Sequence, residues 1–299
     1  MLLPPPSRLE VEVPMPSLLT GKLDCQETST HYRRLIRQNI KKLGFSPGLA
    51  VILGCDDLGC IVYHKWLMKD CHDLGIDAKD IEVNSGMELV KTVARLNQDD
   101  KTHGIFIFYP LRYPEIKDDE VMDLVDPEKD IEGLHATNIG YLNKYRKRMD
   151  GSDHRCMTPC TARAMVKTLK RGFGDTYLSG KTVLVINDSL RIGRPLTAMV
   201  ANLKATPILC HQNTNPEHLR HFIKLADVIV SAVPAPGFQI QTDWIKDGAL
   251  CFDLSGQGNF DYEALDARGI HYTDTTKNSI GKVTRVMALL NLTYAAGLE

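Results

Sequence analysis

No part of this 299-residue chain approaches the roughly 18 to 20 consecutive apolar residues that a helical membrane span needs. The start, Met1 to Pro6, lacks both the basic segment and the apolar core of an export signal. A cytoplasmic protein is therefore expected. An excess of charge of one sign is also missing, since 36 Lys and Arg against 37 Asp and Glu leave a formal net charge of −1. That removes the basic footprint of a nucleic-acid binder, and the short run Lys144 to Arg148 reads as a solvated face. Cys-x-x-Cys spacing does not occur among the eight cysteines, so no zinc knuckle, other metal site or dithiol redox centre is indicated and reduced thiols are expected. Internal repeats and low-complexity stretches are lacking as well.

What is present is ordinary globular material. Hydrophobic residues make up 43% and charged residues 24%, and the length exceeds the usual size of one domain, so two domains with their own cores are expected. Pro4 to Pro6, Pro14 and Pro16 make the first stretch a poor helix and a poor central strand, which predicts a tail lying on the body. Beyond it, residues 26–43 carry apolar positions at helical spacing, and Leu49 to Leu53 is a short apolar run ended by Gly54. Further helices are predicted over 59–74 and 88–96, with strands over 81–83 and 104–108. A second series follows: strands 182–186, 206–210, 228–232 and 249–253, helices 194–203 and 216–225, and a last helix 283–296. Such alternation implies an α/β class with two parallel sheets covered by helices.

The strand-turn-helix over 182–203 is the clearest physical signal. A strand end, a polar turn and a helix N-terminus can present backbone N–H groups to a pyrophosphate. Only Gly193 stands where a dinucleotide fingerprint places several glycines, so a plain βα turn reads nearly as well.

Several blocks in register are far more specific. Tyr63 followed by Gly75-Ile76, Pro110-Leu111, the run Lys129 to His135 with Asn138 and Gly140, and Pro159-Cys160-Thr161 come first. Gly180-Lys181, then Ser189, Gly193 and Pro195, Asp243 to Lys246, Gly248-Ala249 and Gly281 to Thr284 follow in order. On these residues the chain resembles the methylenetetrahydrofolate dehydrogenase/cyclohydrolase family over nearly its whole length after the first twenty residues. The resemblance implies an N-terminal α/β folate domain over 1–160, completed by the C-terminal helix 284–299, a Rossmann-type nucleotide domain over 161–283, and a cleft between them. It also implies an oxidoreductase of one-carbon metabolism and a homodimer.

The departures narrow the expectation. Where bifunctional members carry a lysine four residues after the tyrosine, this chain has Leu67, and Lys65 falls on another side of the helix. Phe108 replaces the glutamine used beside that lysine. Together with Trp66, Glu132 and the pair Phe108-Tyr109, this pattern looks like the monofunctional NAD-dependent branch. Removing hydride from the carbon between two folate nitrogens leaves a cation that those nitrogens stabilise, so the step asks for positioning. Hydrolysing that cation requires water activation and proton movement, the work of the missing lysine.

The roles implied by the resemblance are these. Tyr63 and Asp130 are the catalytic candidates. Tyr63, Phe108, Pro110, Leu111 and Glu132 are the folate contacts, with Glu132 accepting from the pterin edge. The cofactor contacts are Thr161, Asn187, Asp188, Ser189, Ile192, Gly193, Arg194, Gln212, Ala232, Val233 and Thr284. Asp188 stands where NADP-dependent members have arginine, and Gln212 where they have serine; an aspartate there repels a 2′-phosphate and accepts from a 2′-hydroxyl, so NAD is expected. Each assignment has a plainer reading: Asp130 and Glu132 as turn residues, Tyr63 as a core aromatic, His135 and His211 as structural. Asn187 and Pro234 stand where the family has glycine, and Thr276 to Ile280 replace a proline-glycine run. A divergent paralogue with another substrate, and a non-catalytic binding protein, therefore stay open as alternatives.

Overall fold

The computed structural model describes residues 20–151 and 153–298, so the proline-rich tail expectation lies outside the described residues. Helix α1 (Cys25–Leu43) starts on Asp24, whose side chain accepts from the Glu27 N–H, and stops at Gly44 in the left-handed region. Strand β1 (Gly48–Ile52), helix α2 (Leu58–Leu74), strand β2 (Asp77–Ile81), helix α3 (Gly86–Asn97) and strand β3 (Gly104–Ile107) follow. The three strands form a parallel sheet in the order β2-β1-β3. Central β1 is buried throughout, whereas β2, Asp-Ala-Lys-Asp-Ile, is largely exposed at the edge. The strand expected over 81–83 is thus corrected to 77–81. An edge strand needs no apolar run, and β2 is set instead by its ladder to β1, Gly48 opposite Asp77.

The short helices α4 (Asp118–Met122) and α5 (Ala136–Asn143) precede helix α6 (Cys160–Phe173). The second layer then runs β4 (Thr182–Ile186), α7 (Gly193–Asn202), β5 (Thr206–Cys210), α8 (Pro216–Leu225), β6 (Val228–Ser231), β7 (Leu250–Asp253), α9 (Tyr262–Ala267) and β8 (His271–Thr273). Its strands are parallel in the order β5-β4-β6-β7-β8. The chain leaves β4 for β5 on one side and returns to β6 on the other, so the strand order reverses at the carboxyl end of β4, where open α/β sheets place ligands.

Helix α10 (Gly281–Ala295) closes the chain and is buried almost continuously from Val283 to Thr293. It packs on α1, α6 and α2, and Asn39 Nδ2 donates to Thr293 Oγ1 at 3.0 Å. The last helix thus returns to the first sheet's layer, and α6 joins the two layers by packing on both α10 and α7. The sequence reading does not predict α4, α5, α6, α9 or β8. For α6 the signal is present, because Ala162, Met165, Val166 and Leu169 fall at helical spacing and are all buried. No helix of the described residues is long and apolar enough to cross a membrane.

Candidate active site

Between the carboxyl ends of β1 and β3 and the turn after β4 lies a cavity of about 260 Å³. Its apolar walls include Phe106, Ile107, Phe108, Leu134 and Ile192; its polar groups include Tyr63, Glu132, Thr161, Arg191 and Thr284. The charged residues lining it are Asp57, Glu132 and Arg191. Asp57 is occupied as the N-cap of α2, accepting from the Cys60 N–H at 3.0 Å.

Glu132 is held by backbone geometry. Its neighbour Gly133 has φ +72°, and a Cβ there would lie 2.5 Å from the Thr158 carbonyl carbon. Only glycine lets these two segments meet. Asn291 of α10 donates to the carbonyls of Ile131 (2.8 Å) and Thr158 (3.1 Å), pinning the loop from the last helix. Burial among the aromatic walls pushes the Glu132 carboxyl up to about 8, against the opposing pull of Arg191, with Asp130 adding to the rise.

Asp130 is differently placed. Its carboxylate accepts from Gly133 N (2.9 Å), His135 N (2.8 Å) and Asn138 Nδ2 (2.9 Å), is buried, and does not line the cavity. The expectation of a catalytic Asp130 thus meets a carboxylate committed to folding its own loop. His135 likewise caps α5, its Nδ1 accepting from the Thr137 N–H.

Tyr63 packs among aromatics, its ring centroid 5.7 Å from that of Phe108 and 6.4 Å from that of Phe106. Arg285 of α10 sits over the Tyr63 ring at 5.4 Å and also over Trp66 at 5.8 Å, while its Nε donates to Asp70 Oδ2 at 2.7 Å. Tyr63, Trp66 and Asp70 share one face of α2 by their i, i+3, i+7 spacing. That spacing was readable in the sequence, but the partner on α10 was not. Burial raises the Tyr63 phenol well above its ordinary range, so it stays neutral. Leu67 is fully buried in the cluster that contains Phe108, and Lys65 is exposed. Pro110, joined to Tyr109 by a cis peptide bond, is exposed, and neither it nor Leu111 lines the cavity.

The turn after β4 is built around Asn187. Its Oδ1 accepts from Ser189 N (3.0 Å), Ser189 Oγ (2.6 Å) and Gly193 N (3.2 Å), and its Nδ2 donates to the Ala232 carbonyl (2.9 Å). A Cβ on Gly193 would lie 1.6 Å from the Asn187 carbonyl oxygen, so this glycine is required for the helix to start so close to the strand. The side chain of Asn187 thereby occupies two N–H groups that a bound anion could use. The backbone N–H groups of Asp188, Leu190 and Arg191 donate to no described residue and remain open to an anion. Val233 N is held by Asn259 Oδ1, Asp188 and Gln212 are exposed, and Arg194 lines a second cavity of about 400 Å³ behind Leu134 and Leu190.

The fold therefore brings Tyr63, Phe108, Glu132, Thr161, Ile192 and Thr284 to one cavity, and sets Asn187, Ser189, Gly193, Ala232 and Val233 around the neighbouring turn. Arg191, Arg285, Cys60 and Cys160 were missed. Nothing in the pattern of the turn marks Arg191, and only the three-dimensional placement shows that it reaches the Tyr109 carbonyl beyond β3.

Two family models match the chain: the catalytic domain of tetrahydrofolate dehydrogenase/cyclohydrolase over residues 23–132 and its NAD(P)-binding domain over 159–298. The chain is similar to the methylenetetrahydrofolate dehydrogenase [NAD(+)] of Dictyostelium discoideum, with 32% identity over 91% of this chain and 93% of that protein. It is also similar to the bifunctional protein FolD of Clostridium tetani, with 30% identity over 92% and 97%. Among solved structures, the bifunctional FolD dehydrogenase/cyclohydrolase of Campylobacter jejuni superposes with a TM-score of 0.81 and 28% identity, covering 92% of this chain and 97% of that one.

Proposed function

Because the chain belongs to the tetrahydrofolate dehydrogenase/cyclohydrolase family, we propose that it oxidises 5,10-methylenetetrahydrofolate to the methenyl cation with NAD and does not hydrolyse the product. The observation that carries this reading is the cavity's equipment: Tyr63, Glu132 and aromatic walls face it, Phe108 lines it, and no lysine does. Glu132 accepts from the pterin amino and ring N–H groups, Tyr63 offers its ring face to the folate, and Thr161 and Thr284 bound the side toward the nucleotide turn.

The turn fits a dinucleotide, since three free N–H groups remain at the start of α7, at the point where the strand order reverses. The bound dinucleotide supplies the hydride acceptor. The protein's part is to hold the methylene carbon in line and keep water out, which Phe106 and Phe108 do from the strand side. Asp188, exposed beside the turn, disfavours a 2′-phosphate and so supports NAD over NADP. In this reading residues up to about 160 with helix 284–299 form the folate domain and 161–283 the cofactor domain of a cytoplasmic homodimer.

The decisive experiment supplies methenyltetrahydrofolate and follows its decay at several protein concentrations. Decay at the buffer rate is expected, and a rate that grows with protein and saturates with substrate refutes the monofunctional assignment. The Asn187 plug in the turn favours a second reading, a paralogue with another substrate or a non-catalytic binder. Titration with NAD and NADP, followed by methylenetetrahydrofolate under absorbance readout, separates these three.

A further inference from the structure

Arg191 belongs to the nucleotide turn by sequence, yet its side chain crosses to the folate side. Its Nη1 donates to the Tyr109 carbonyl at 3.1 Å, and its guanidinium carbon lies 5.6 Å from the centroid of the Tyr109 ring. The Cys60 thiol donates to the same carbonyl at 3.5 Å, so this oxygen is a fixed anchor at the end of β3. So anchored, Arg191 lines the cavity that Glu132 faces. We propose that Arg191 is a positioning residue for folate binding, the counter-cation that favours the ionised form of Glu132, the form able to accept both pterin N–H groups. This rests on the functional reading above only for the identity of the ligand.

The need for a counter-cation follows from the surroundings of Glu132. The groups that act on it are Asp130 on its own loop, Tyr63 from α2, Tyr109 after β3, Cys160 at the start of α6 and the Ile107 backbone. The two tyrosines and the thiol are neutral, since burial raises all three, and Asp130 disfavours a second negative charge. Asp57 on the rim is bound to its helix cap, and Arg285 lies on Tyr63 and Asp70. Arg191 is thus the cation that lines the same cavity as Glu132. Its other guanidinium nitrogens are not tied by the bond to Tyr109. Because it is exposed on the turn, substituting it leaves the core intact.

The test follows the glutamate carboxyl carbon signal, by 13C NMR of the intact chain, that disappears in Glu132→Gln. In the unsubstituted protein its midpoint is expected near pH 8. In Arg191→Gln it should lie about one pH unit or more higher, and Arg191→Lys should restore most of the difference. Tetrahydrofolate affinity should rise with pH along the same midpoint in each protein. An unmoved midpoint in Arg191→Gln overturns the proposal, as does an affinity profile that stays put while the midpoint moves. Should the unsubstituted protein bind no tetrahydrofolate at any pH, the folate reading fails, and the carboxyl titration still decides whether Arg191 governs Glu132.

Discussion

The two walls of the cleft are built on opposite plans. On the folate side, Glu132 is buried in a cavity walled in part by Phe106 and Phe108, where burial favours its protonated form, and Arg191 lines the same cavity. On the nucleotide side, the turn spends much of its capacity on itself: Asn187 holds Ser189 and Gly193, and the Ser189 hydroxyl holds the Ile192 N–H at 3.1 Å. The first arrangement stores unfavourable desolvation that a ligand relieves. The second is partly satisfied before any ligand arrives, so binding gains less at the groups Asn187 already holds.

Denying each wall its glycine should have the largest effect. Gly193→Ala drives a Cβ into the Asn187 carbonyl, and Gly133→Ala drives one into the Thr158 backbone from a left-handed conformation. Each should cost more than about 3 kcal/mol by urea denaturation. Loss of NAD binding should lead in the first and loss of folate binding in the second. Equal loss of both ligands in both variants would mean that the walls are not separate units.

Glu132→Gln comes next. It keeps the shape but, above about pH 8 where Glu132 is ionised, removes the charge and one acceptor, so folate affinity there should fall by about 1.5 to 3 kcal/mol by calorimetry, with NAD affinity unchanged. The same substitution should change the pH dependence of stability. With its folded-state pKa raised to about 8, Glu132 keeps its proton in the fold while the unfolded chain loses it above roughly 4.3. Between those values the folded state binds more protons, so the unsubstituted protein should lose stability relative to Glu132→Gln as pH rises through this window. Parallel stability curves would contradict the burial argument.

Asn187→Gly sharpens the contrast from the other side. Freeing the Ser189 and Gly193 N–H groups should lower stability by about 1 to 2 kcal/mol without ligand, with much of the loss recovered at saturating NAD because the pyrophosphate takes those donors. No recovery would place the pyrophosphate elsewhere. The smallest expected effect is that of Asp188→Arg, which removes a repelling charge and adds a phosphate partner. It should narrow the ratio of kcat/KM for NAD over NADP by roughly tenfold, about 1.4 kcal/mol.

The order of blocks along the chain was enough to read the α/β class, both parallel sheets and most helices, because central strands and amphipathic helices carry their burial in local periodicity. Edge strand β2 escaped that logic, since a half-exposed strand carries little apolar pattern and takes its register from its neighbour. At the site, Tyr63 and Glu132 were singled out by the family resemblance, since their local patterns also fit a core aromatic and a turn residue. A carboxylate that caps its own loop and one that faces a ligand look alike in sequence, and for Asp130 only the structure adds the bonds from Gly133, His135 and Asn138.

Residue types and their spacing gave two parallel α/β layers, and the ordered blocks of residues gave the resemblance to the family. Tertiary structure alone decided which side chains face each other across the cleft. Arg191 meets Tyr109 from 82 positions away, and Arg285 reaches Asp70 across 215. Contacts at such separations leave no periodic trace, because they are set by how two sheets and the returning helix α10 pack, and not by the propensity of any segment.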